Sequence, residues 1–597
     1  MTLPSNLNRF GKGMRRPYYC EVEYIQSSGT QYIDTGIIPT INTKTAEKGR
    51  ILSIGSKTPD FVRWSGNPTY DTFGTYLANP SIVVYYGRYQ NNKAKSLPYT
   101  VGTDFEIVND INEIIFNNSV NPVTRDNTGW TNTTYTLYLF AGNNMGNVSF
   151  FTDMRMYYYK VWDNGILLRD MIPVLDWNMT ACMYDRVSNK LFYNKGTGDF
   201  TTGRQIHYVE YLETDGASAI DTLIKPQYNI KLKTKVLVPN IGDDYFSSVR
   251  TDSGNTRFYL LNFNTTMGFA VSSANWGGTD FASYKPEDYT GVVHDITTEI
   301  TSSTISIDVD GNTNSSTVSA ITLSTQTLPM FGGKLNDSST LTNYSPNGTR
   351  CYYSQYYLDG VLERDYRPAV DENGIGFMFD KVHHTCYLNT GTGTFKYSDV
   401  ALEYLESTGT QYINTGLFST ADSNVDVIFS FTSMAQNDSC SIFGGRSSYS
   451  YDQNTFSLLK VASSSPQFFR FDCRGQADIA YSNQLTWDSN SKYRFTYGDG
   501  EYKISNITTN ESISGFMSSP YTFTTYPICI FAINSVGEIG LFMKGRIYEY
   551  KYSDGTNTIN LKPVMRNGVA GMLDTINNVF YTNQGTGTFN FKIKERK

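Results

Sequence analysis

The chain has 597 residues, of which 15% are aromatic and only 18% are charged, and its formal net charge is −7. That length is enough for roughly three to five domains, and the acidic balance argues against a nucleic-acid partner, because phosphate contacts need a clustered basic surface. No apolar run reaches the ~18 residues of a membrane-spanning helix, and the abundance of Tyr, Phe, Thr, Ser, Asn and Gly favours strands and turns. We therefore predict a soluble all-β protein without membrane insertion.

The first twenty residues are basic, and no acidic residue precedes Glu21. The segment lacks an apolar core, so it does not have the pattern of a secretion signal. Two interpretations remain open, an arm that docks on an acidic partner and a terminus without fixed structure. The residues that we expect to carry attachment are Arg9, Phe10, Arg15, Arg16 and Tyr18.

An internal repeat organises the rest of the chain. Residues 22–36 read VEYIQSSGTQYIDTG, and residues 402–416 read LEYLESTGTQYINTG. A more diverged copy, VEYLETDGASAIDT, occupies residues 209–222, so the copies start about 190 residues apart. We expect Tyr24 and its counterparts in the other two copies, Tyr211 and Tyr404, to fill the core.

Each copy ends on two further landmarks. A late hairpin reads RMYYYKVWDNG, RCYYSQYYLDG and RIYEYKYSDG in the three copies, and alternation that runs into Asp-Gly or Asn-Gly predicts a tight turn. The closing motif reads YNKGTGDF, LNTGTGTF and TNQGTGTF. Arg169 and Arg364, which follow the first two hairpins, are each followed by Asp, and we expect structural ion pairs around them.

These landmarks divide the chain into an arm and three modules. The arm covers residues 1–20, and the modules cover residues 21–203, 204–398 and 399–597. The joins contain no Gly/Ser-rich or Pro-rich linker, so we expect little freedom between neighbouring modules.

The seven cysteines show no metal-ligand spacing. Cys182 falls where the second copy has Phe377, and Cys351 falls where the first copy has Met156. Because apolar residues replace these cysteines in another copy, we predict free, buried thiols that behave as small hydrophobes. Free thiols fit assembly in a reducing cytosol.

The opening motif, the late hairpin block and the closing Gly-Thr-Gly-x-Phe resemble the laminin-G-like, concanavalin A-like modules common in phages and bacteria of the gut. The resemblance covers nearly all of the chain after residue 20 and is most specific at the ends of each module. It implies three tandem jelly-roll β-sandwiches, and many members of the group bind carbohydrate or serve in adhesion.

Related jelly rolls often hold calcium at the rim through Asp and Asn side chains and backbone carbonyls. Asp34, Asp221 and Asn414 recur at one place in the three copies and are the candidate ligands. No run of alternating acidic residues surrounds them, so a purely structural role stays open.

Carbohydrate sites combine a flat aromatic face with polar groups, usually on loops. Trp64, Trp130 and Trp276 lie in the variable middles of the modules beside Ser, Gly, Asn and Thr, and they are the candidate sugar-binding residues. They do not recur at matching places, so a ligand site would differ between modules, and core packing is the alternative for each.

The sequence gives little support to catalysis. Jelly-roll glucanases carry paired carboxylates as Glu-x-Asp-x-x-Glu, and that pattern is absent. With only four His residues, no recurrent His-based triad or zinc site can be assembled. We predict that the chain is not an enzyme, with a polysaccharide-degrading enzyme as the remote alternative.

These features together predict a phage virion surface protein, of head or tail fibre type, assembled in the cytoplasm of a bacterial host. Its arm would attach to other virion proteins of the capsid or tail, and its modules would bind cell-surface or mucus glycans, with multivalency raising weak affinity. The alternative is a decoration or assembly protein that binds no ligand. Virion symmetry predicts a homo-oligomer of unspecified order.

Overall fold

The structure of the protein is a computed structural model, and it describes most of the chain between residues 16 and 595. Within those bounds the described residues exclude 56, 66–70, 89–93, 124–129, 241, 243, 251–256, 275–279, 323, 336–338, 434–438, 449–453, 462–467, 474–484, 486–487, 490 and 518–522. The chain forms two compact units, residues 1–397 with 595–597, and residues 398–594.

The first unit contains two modules, and the second unit is the third module. The strands of module 1 are β1 (Cys20–Val22), β2 (Ile25–Ser28), β3 (Ile33–Asp34), β4 (Thr43–Ile51), β5 (Asp60–Arg63), β6 (Asp71–Ala78), β7 (Ser81–Arg88), β8 (Ala94–Pro98), β9 (Phe105–Asn109), β10 (Glu113–Phe116), β11 (Ser119–Pro122), β12 (Tyr138–Leu139), β13 (Gly142–Asn144), β14 (Asn147–Ser149), β15 (Asp153–Asp163), β16 (Ile166–Leu175), β17 (Ala181–Asp185), β18 (Lys190–Phe192) and β19 (Thr201–Thr202).

The strands of module 2 are β20 (Gln205–Tyr208), β21 (Leu212–Glu213), β22 (Ile220–Ile224), β23 (Ile230–Leu237), β24 (Asp244–Arg250), β25 (Arg257–Asn264), β26 (Gly268–Ser272), β27 (Phe281–Tyr284), β28 (Val293–Ile300), β29 (Thr304–Val309), β30 (Asn312–Thr317), β31 (Leu328–Met330), β32 (Gly332–Lys334), β33 (Leu341–Tyr344), β34 (Arg350–Leu358), β35 (Val361–Val370), β36 (Gly376–Asp380), β37 (Thr385–Tyr387) and β38 (Lys396–Tyr397).

The strands of module 3 are β39 (Val400–Thr408), β40 (Ile413–Asn414), β41 (Asn424–Phe431), β42 (Cys440–Arg446), β43 (Thr455–Val461), β44 (Phe468–Cys473), β45 (Tyr493–Gly498), β46 (Glu501–Asn506), β47 (Glu511–Phe516), β48 (Cys529–Ile530), β49 (Ile533–Ser535), β50 (Glu538–Gly540), β51 (Lys544–Ser553), β52 (Thr558–Arg566), β53 (Val569–Asp574), β54 (Phe580–Tyr581) and β55 (Asn590–Ile593). Among the residues that the structure describes, no helix is long and apolar enough to cross a membrane.

The three modules share one strand order in their first sheet. It runs β11-β10-β9-β4-β15-β16-β17-β18 in module 1. It runs β30-β29-β28-β23-β34-β35-β36-β37 in module 2, and β47-β46-β45-β41-β51-β52-β53-β54 in module 3. The second sheet of each module contains one parallel pair, β5–β13, β24–β32 or β42–β49. The prediction of an all-β chain of tandem jelly-roll sandwiches is confirmed.

The alternation of apolar and polar residues explains which side of each strand is buried. In β23, Ile230, Leu232 and Val236 are buried, and the lysines between them face outward. Side chains on successive residues of a strand point to opposite faces, so this pattern places one face on the core. Aromatic rings fill much of the space between the sheets. In module 3, for example, the ring centroids of Phe471 and Phe495 are 4.8 Å apart.

The predicted hairpin turns form in the first two modules. Asn164 and Gly165 both have positive φ, as do Asp359 and Gly360, which is the conformation that a two-residue turn requires. The third module differs, because Asp554 Oδ1 accepts hydrogen bonds from the amides of Thr556 and Asn557 in a longer turn.

The closing motif of each module holds the opening motif in place. In module 1, Asn194 Oδ1 accepts a hydrogen bond from Tyr32 N (3.1 Å), and its Nδ2 donates to Gly198 O (2.7 Å). Asn389 and Asn583 make the same pair of bonds in the other two modules. The closing motif therefore recurs because it ties the end of each module to its beginning.

The expectation that Tyr24, Tyr211 and Tyr404 fill the core is wrong. Each ring is half-buried and carries a guanidinium, because Arg155, Arg350 and Arg546 lie 4.5, 4.3 and 4.4 Å from the respective ring centroids. Burying an arginine stem along a ring while its charge stays near solvent is a stable arrangement. These tyrosines therefore anchor arginines on the outer face of the sheet.

The expected ion pairs form. Arg169 lies 3.5 Å from Asp185, and Asp170 pairs with Arg186 at 2.7 Å. In module 2, Arg364 lies 3.7 Å from the buried Asp380. All seven cysteines are free, and all but Cys386 are buried.

One strand belongs to both modules of the first unit. Residues Gln205 and Ile206 of β20 pair with β1 of module 1, while His207 and Tyr208 pair with β35 of module 2. The first sheets of the two modules are thereby joined into one continuous hydrogen-bonded sheet. This shared strand joins the two modules side by side, and a cleft lies between them.

Candidate functional site

The cleft between modules 1 and 2 has a volume of about 520 Å³. Module 1 contributes Lys48 on β4, the residues around the start of β9, and the turn between β10 and β11. Module 2 contributes Arg364 on β35, the segment from His383 to Thr390, and Leu223 on β22. Its volume falls within the range of about 300–1,000 Å³ typical of small-ligand pockets, and such pockets occur preferentially between domains.

Lys48 connects the two walls. Its Nζ donates a hydrogen bond to His383 O (3.2 Å) and another to Thr385 Oγ1 of module 2. The ammonium also lies 5.1 Å from the centroid of the Tyr157 ring. Burial lowers the pKa of Lys48, although neighbouring carboxylates oppose this effect. Lys48 therefore joins module 1 to module 2 at the cleft.

Two carboxylates of module 1 line the opposite part of the cleft. Asp104 Oδ1 accepts hydrogen bonds from Arg50 Nε (2.6 Å) and from the Tyr157 hydroxyl (3.2 Å). Glu106 accepts a hydrogen bond from the Tyr158 hydroxyl. Burial and the Glu106 charge raise the pKa of Tyr158, so the hydroxyl remains a donor. The lone pairs of Asp104 and Glu106 that stay free are acceptors for a ligand hydroxyl.

Arg364 and His383 form the polar part of the module 2 wall. Arg364 Nη1 donates to Glu363 Oε1 (2.6 Å), and His383 Nδ1 lies 3.0 Å from Asp380 Oδ2. Within the described part of the chain, Arg364 Nε has no hydrogen-bond partner.

Arg364 Nε lacks the hydrogen bond that the equivalent Arg169 Nε makes in module 1. There, Arg169 Nε donates to Thr35 O (3.1 Å). In module 2 the equivalent carbonyl, that of Thr222, instead accepts a hydrogen bond from the Tyr366 hydroxyl (3.0 Å).

Apolar side chains are exposed at the same wall. Leu223 is 61% exposed and Leu388 is 41% exposed, and both line the cleft with the half-buried Tyr387. Leu223 has a φ of +61°, a conformation that favours glycine, and Gly36 and Gly416 occupy the equivalent place in the other modules. A leucine in this strained backbone conformation makes Leu223 a candidate for a functional role at the cleft.

The three predicted calcium ligands each stabilise a turn. Asp34, Asp221 and Asn414 each accept, through Oδ1, a hydrogen bond from the amide two residues later, at 2.9, 3.0 and 3.0 Å. Asp221 also accepts a hydrogen bond from the buried Lys334 ammonium (2.7 Å), so the residues around it do not fit a calcium site. In the described ranges, no group of three or more His, Cys, Asp or Glu side chains is placed to bind one metal ion. Calcium binding at Asp34 and Asn414 stays a prediction.

Two of the predicted sugar-binding tryptophans lie together. The rings of Trp64 and Trp130 are 5.2 Å apart, and both pack against the core of module 1 as half-buried side chains. Trp64 Nε1 donates to Thr131 Oγ1 (3.0 Å). Trp276 lies outside the described residues. The role of all three in sugar binding stays a prediction.

The last residues of the predicted arm pack on module 1. The Tyr18 ring lies 4.8 Å from the Tyr184 ring, and the Tyr18 hydroxyl donates to Glu21 Oε1 (3.2 Å). Arg16 O accepts a hydrogen bond from Trp177 Nε1 (3.0 Å), and the Arg16 guanidinium pairs with Glu595 of the same unit. Arg9, Phe10 and Arg15 lie outside the described residues, and attachment through this segment stays a prediction.

Sequence reasoning missed the cleft because its walls are far apart in the chain. Lys48 and His383 are separated by 335 residues, and no motif links them. One signal was present in the sequence, since Leu223 stands where the first and third copies have Gly36 and Gly416. A large apolar residue at a position that favours glycine is a departure from the repeat that points to this wall.

Comparison with known proteins adds no family assignment. No protein-family model and no curated protein matches the chain. Among solved structures, domains LG4-5 of the mouse laminin α1 chain match at 13% identity with a TM-score of 0.21, over 59% of this chain and 93% of that chain. The LG1-3 region of the laminin α2 chain matches at 10% identity with a TM-score of 0.23, over 96% and 99% of the two chains.

Proposed function

We propose that this chain is a glycan-binding surface protein whose cleft between modules 1 and 2 receives a neutral sugar. The observation that carries the proposal is that one cleft combines exposed apolar side chains on one wall with carboxylates and amides on the other. A sugar ring presents apolar C–H faces and a rim of hydroxyls, so both walls have a complementary partner.

The charges of the cleft favour a neutral ligand. Each charged lining group already has a partner in the chain, and those partners include Arg50 for Asp104, Lys334 for Asp221 and Glu363 for Arg364. An ionic ligand would have to compete with these existing partners for the charged lining groups. A neutral sugar needs only hydrogen bonds, which the exposed amides of Asn117 and Asn118 at the rim can supply.

The finer part of the proposal places the chain on a phage virion. It is supported by the basic and aromatic residues of the N-terminal segment and by the three repeated modules without linkers. A single cleft of this size gives modest affinity, and many copies on one particle would raise it through high effective concentration.

The experiment is a glycan array probed with the full chain, first with calcium and then with a chelator. We expect reproducible binding to one class of neutral glycan, and loss on chelation would show that binding requires a metal ion. Leu223→Gly removes the apolar contact and leaves the backbone conformation that glycine favours. We expect it to weaken binding about tenfold or more, because burying a leucine contributes about 1.5 kcal/mol or more and about 1.4 kcal/mol corresponds to a factor of ten in affinity.

Val361→Ala is the matched control, because Val361 is an exposed apolar residue of module 2 that does not line the cleft. We expect wild-type binding from it. Silence of a correctly folded chain across the array would contradict glycan binding and favour a decoration protein without a ligand. Equal affinity of Leu223→Gly and wild type would remove the cleft from the proposal.

A further inference from the structure

Module 2 departs from the repeat at two places that meet in the fold. The first is Leu223, a large residue at a position where the other two copies have glycine. The second is Lys334, which ends β32, whereas the equivalent strands β13 and β49 end on Asn144 and Ser535. Asp221 joins the two residues, because its carboxylate accepts a hydrogen bond from each of them.

Both oxygens of the Asp221 carboxylate are held by groups of module 2. Oδ1 accepts a hydrogen bond from Leu223 N (3.0 Å) and another from the Thr327 hydroxyl. Oδ2 accepts one from Lys334 Nζ (2.7 Å), and the same ammonium donates to Thr327 Oγ1 (2.6 Å). Lys334 is only 3% exposed, so its ammonium is shielded from water, which strengthens a hydrogen bond between charged groups.

The backbone of Leu223 gives this arrangement a purpose. Its φ of +61° lies in the left-handed region, where a Cβ atom crowds the neighbouring carbonyl oxygen. A strained conformation of this kind persists only when the surrounding contacts fix it. Gly36 and Gly416 adopt φ values of +67° and +71° in the same turn without that strain. Module 2 therefore adds the contact between Asp221 and Lys334 where the turn carries leucine.

Lys334 lies behind the wall of the cleft. Among the described residues, Asp221 and Leu223 line the cleft, but Lys334 and Thr327 do not. A change at Lys334 can therefore affect a ligand in the cleft only through the residues that it holds. A side chain that is already fixed before a ligand arrives costs less free energy to order on binding.

We propose that Lys334 is a positioning residue, which acts through Asp221 to fix the turn that presents Leu223 to the cleft. The inference rests on the proposed function, because the cleft is where a sugar would contact Leu223. It goes further by assigning part of the affinity of the cleft to a buried residue that the ligand does not touch.

The first measurement needs no ligand. The full chain is prepared with isotopically labelled leucine, and solvent exchange of the Leu223 amide is followed by NMR, with Leu223→Gly identifying its signal. Lys334→Met keeps the apolar stem and removes the ammonium that holds Asp221. We expect exchange at Leu223 to become about twofold to tenfold faster, as weakening of one hydrogen bond predicts. Leu232 in the core strand β23 should exchange at the wild-type rate.

Two further variants make this result specific. Thr327→Val keeps the shape of the side chain and removes the hydroxyl that links the ammonium to the carboxylate, so we expect a smaller acceleration at Leu223. Lys235→Met is the matched control, because Lys235 also pairs with an aspartate of module 2, Asp295 (3.2 Å), but does not line the cleft. We expect wild-type exchange at Leu223 in this control.

The second measurement is the glycan array, titrated with the four chains of a double-mutant cycle on Lys334 and Leu223. We expect Lys334→Met to weaken binding about twofold to tenfold, which corresponds to the cost of ordering one side chain on binding. In the Leu223→Gly chain the same substitution should have no further effect, because the residue that Lys334 positions is gone. Losses that add in the double variant would overturn the proposal.

The exchange measurement also decides the proposal by itself. Wild-type exchange at Leu223 in Lys334→Met, confirmed as folded by circular dichroism, would overturn it and leave the proposed function untouched. Equal acceleration at Leu232 would overturn it as well, since that result indicates a general loosening of module 2. Faster exchange at Leu223 alone, together with a silent array, would support the positioning role and contradict sugar binding in the cleft.

Discussion

Two carboxylates lie together in the core of module 1. Glu47 is 1% exposed and Asp60 is fully buried. Asp60 Oδ1 accepts a hydrogen bond from Thr75 N (2.9 Å), and Oδ2 accepts one from the Tyr159 hydroxyl (3.0 Å). Burial raises the pKa of Asp60 to about 6, and burial together with the Asp60 charge raises the pKa of Glu47 well above its usual 4.5.

This pair makes the stability of module 1 depend on pH. A carboxyl group with a raised pKa in the folded state stabilises the fold fully below its unfolded pKa, and that contribution is lost as the pH rises. For Asp60 the loss runs from about 3.8 to about 6, and for Glu47 it begins above 4.5. We expect Glu47→Gln, which cannot ionise, to raise the free energy of unfolding at pH 8 by about 1–3 kcal/mol and to change it little at pH 4.5.

Urea unfolding of the full chain at the two pH values measures this effect. Glu113→Gln is the control, because Glu113 is a half-exposed glutamate of the same module. An identical pH dependence in wild type and Glu47→Gln would show that Glu47 does not remain protonated in the folded state.

At the scale of elements, the closing motif explains why the modules have well-defined ends. Gly585 lies so close to the opening motif that a Cβ atom would meet Thr410 O at 2.0 Å, and Asn583 Oδ1 accepts a hydrogen bond from Tyr412 N (3.1 Å). The same contacts join Gly196 to Thr30 and Gly391 to Ala217. The closing motif thus sets the position of β55 against β39 in module 3.

We expect Asn583→Ala to loosen this connection. The change removes the acceptor for two backbone amides and the donor to Gly587 O, at about 1 kcal/mol or more for each lost hydrogen bond. Hydrogen exchange measured by mass spectrometry should become faster in β55 and in residues 410–412. Asn590→Ala removes only an exposed bond to Glu406 and should leave exchange there unchanged. Unchanged exchange in Asn583→Ala would contradict the structural role of this asparagine.

The repeat, the strands and the first two hairpin turns could be predicted because each depends on neighbouring residues. The alternation in β23 and the Asn164–Gly165 turn are examples. The roles of individual recurrent residues could not be predicted, because a residue can recur either as a metal ligand or as a residue that stabilises a turn. Asp221 shows this, since its carboxylate is occupied by Leu223 N and by Lys334, which is 113 residues away.

The candidate site depends on pairing at still longer range. Its walls come together through pairing of β20 with β1 in one module and with β35 in the other, and through contacts such as the hydrogen bond from Lys48 to His383 O. No local pattern in the sequence specifies that pairing.

At the scale of the whole molecule, a buried histidine contributes to the connection between modules 1 and 2. His384 of module 2 is 2% exposed, and its Nε2 donates a hydrogen bond to Val22 O of module 1 (2.8 Å). Its ring packs at 4.8 Å on the Phe379 ring. Burial lowers the pKa of His384 from its usual 6.5 to about 4, although the charge of Glu21 opposes this effect.

The connection between modules 1 and 2 should therefore weaken in acid. A histidine with a lowered pKa in the folded state stabilises the fold fully above its unfolded pKa, and that contribution is lost as the pH falls from 6.5 toward 4. We expect the amides of β20 to lose protection against hydrogen exchange at pH 4.5 relative to pH 7, after correction for the intrinsic rates. His384→Gln can still donate to Val22 O but cannot gain a proton, so it should retain that protection.

The control is His294→Gln, a histidine of module 2 that lies on β28 and contacts Asp310 within its own module. We expect β20 in this variant to respond to acid as in the wild type, because His294 does not touch module 1. If His384→Gln loses protection in β20 as strongly as the wild type does, another group must control the connection. If protection is retained only in His384→Gln, a single imidazole governs whether the cleft between modules 1 and 2 keeps its shape in acid.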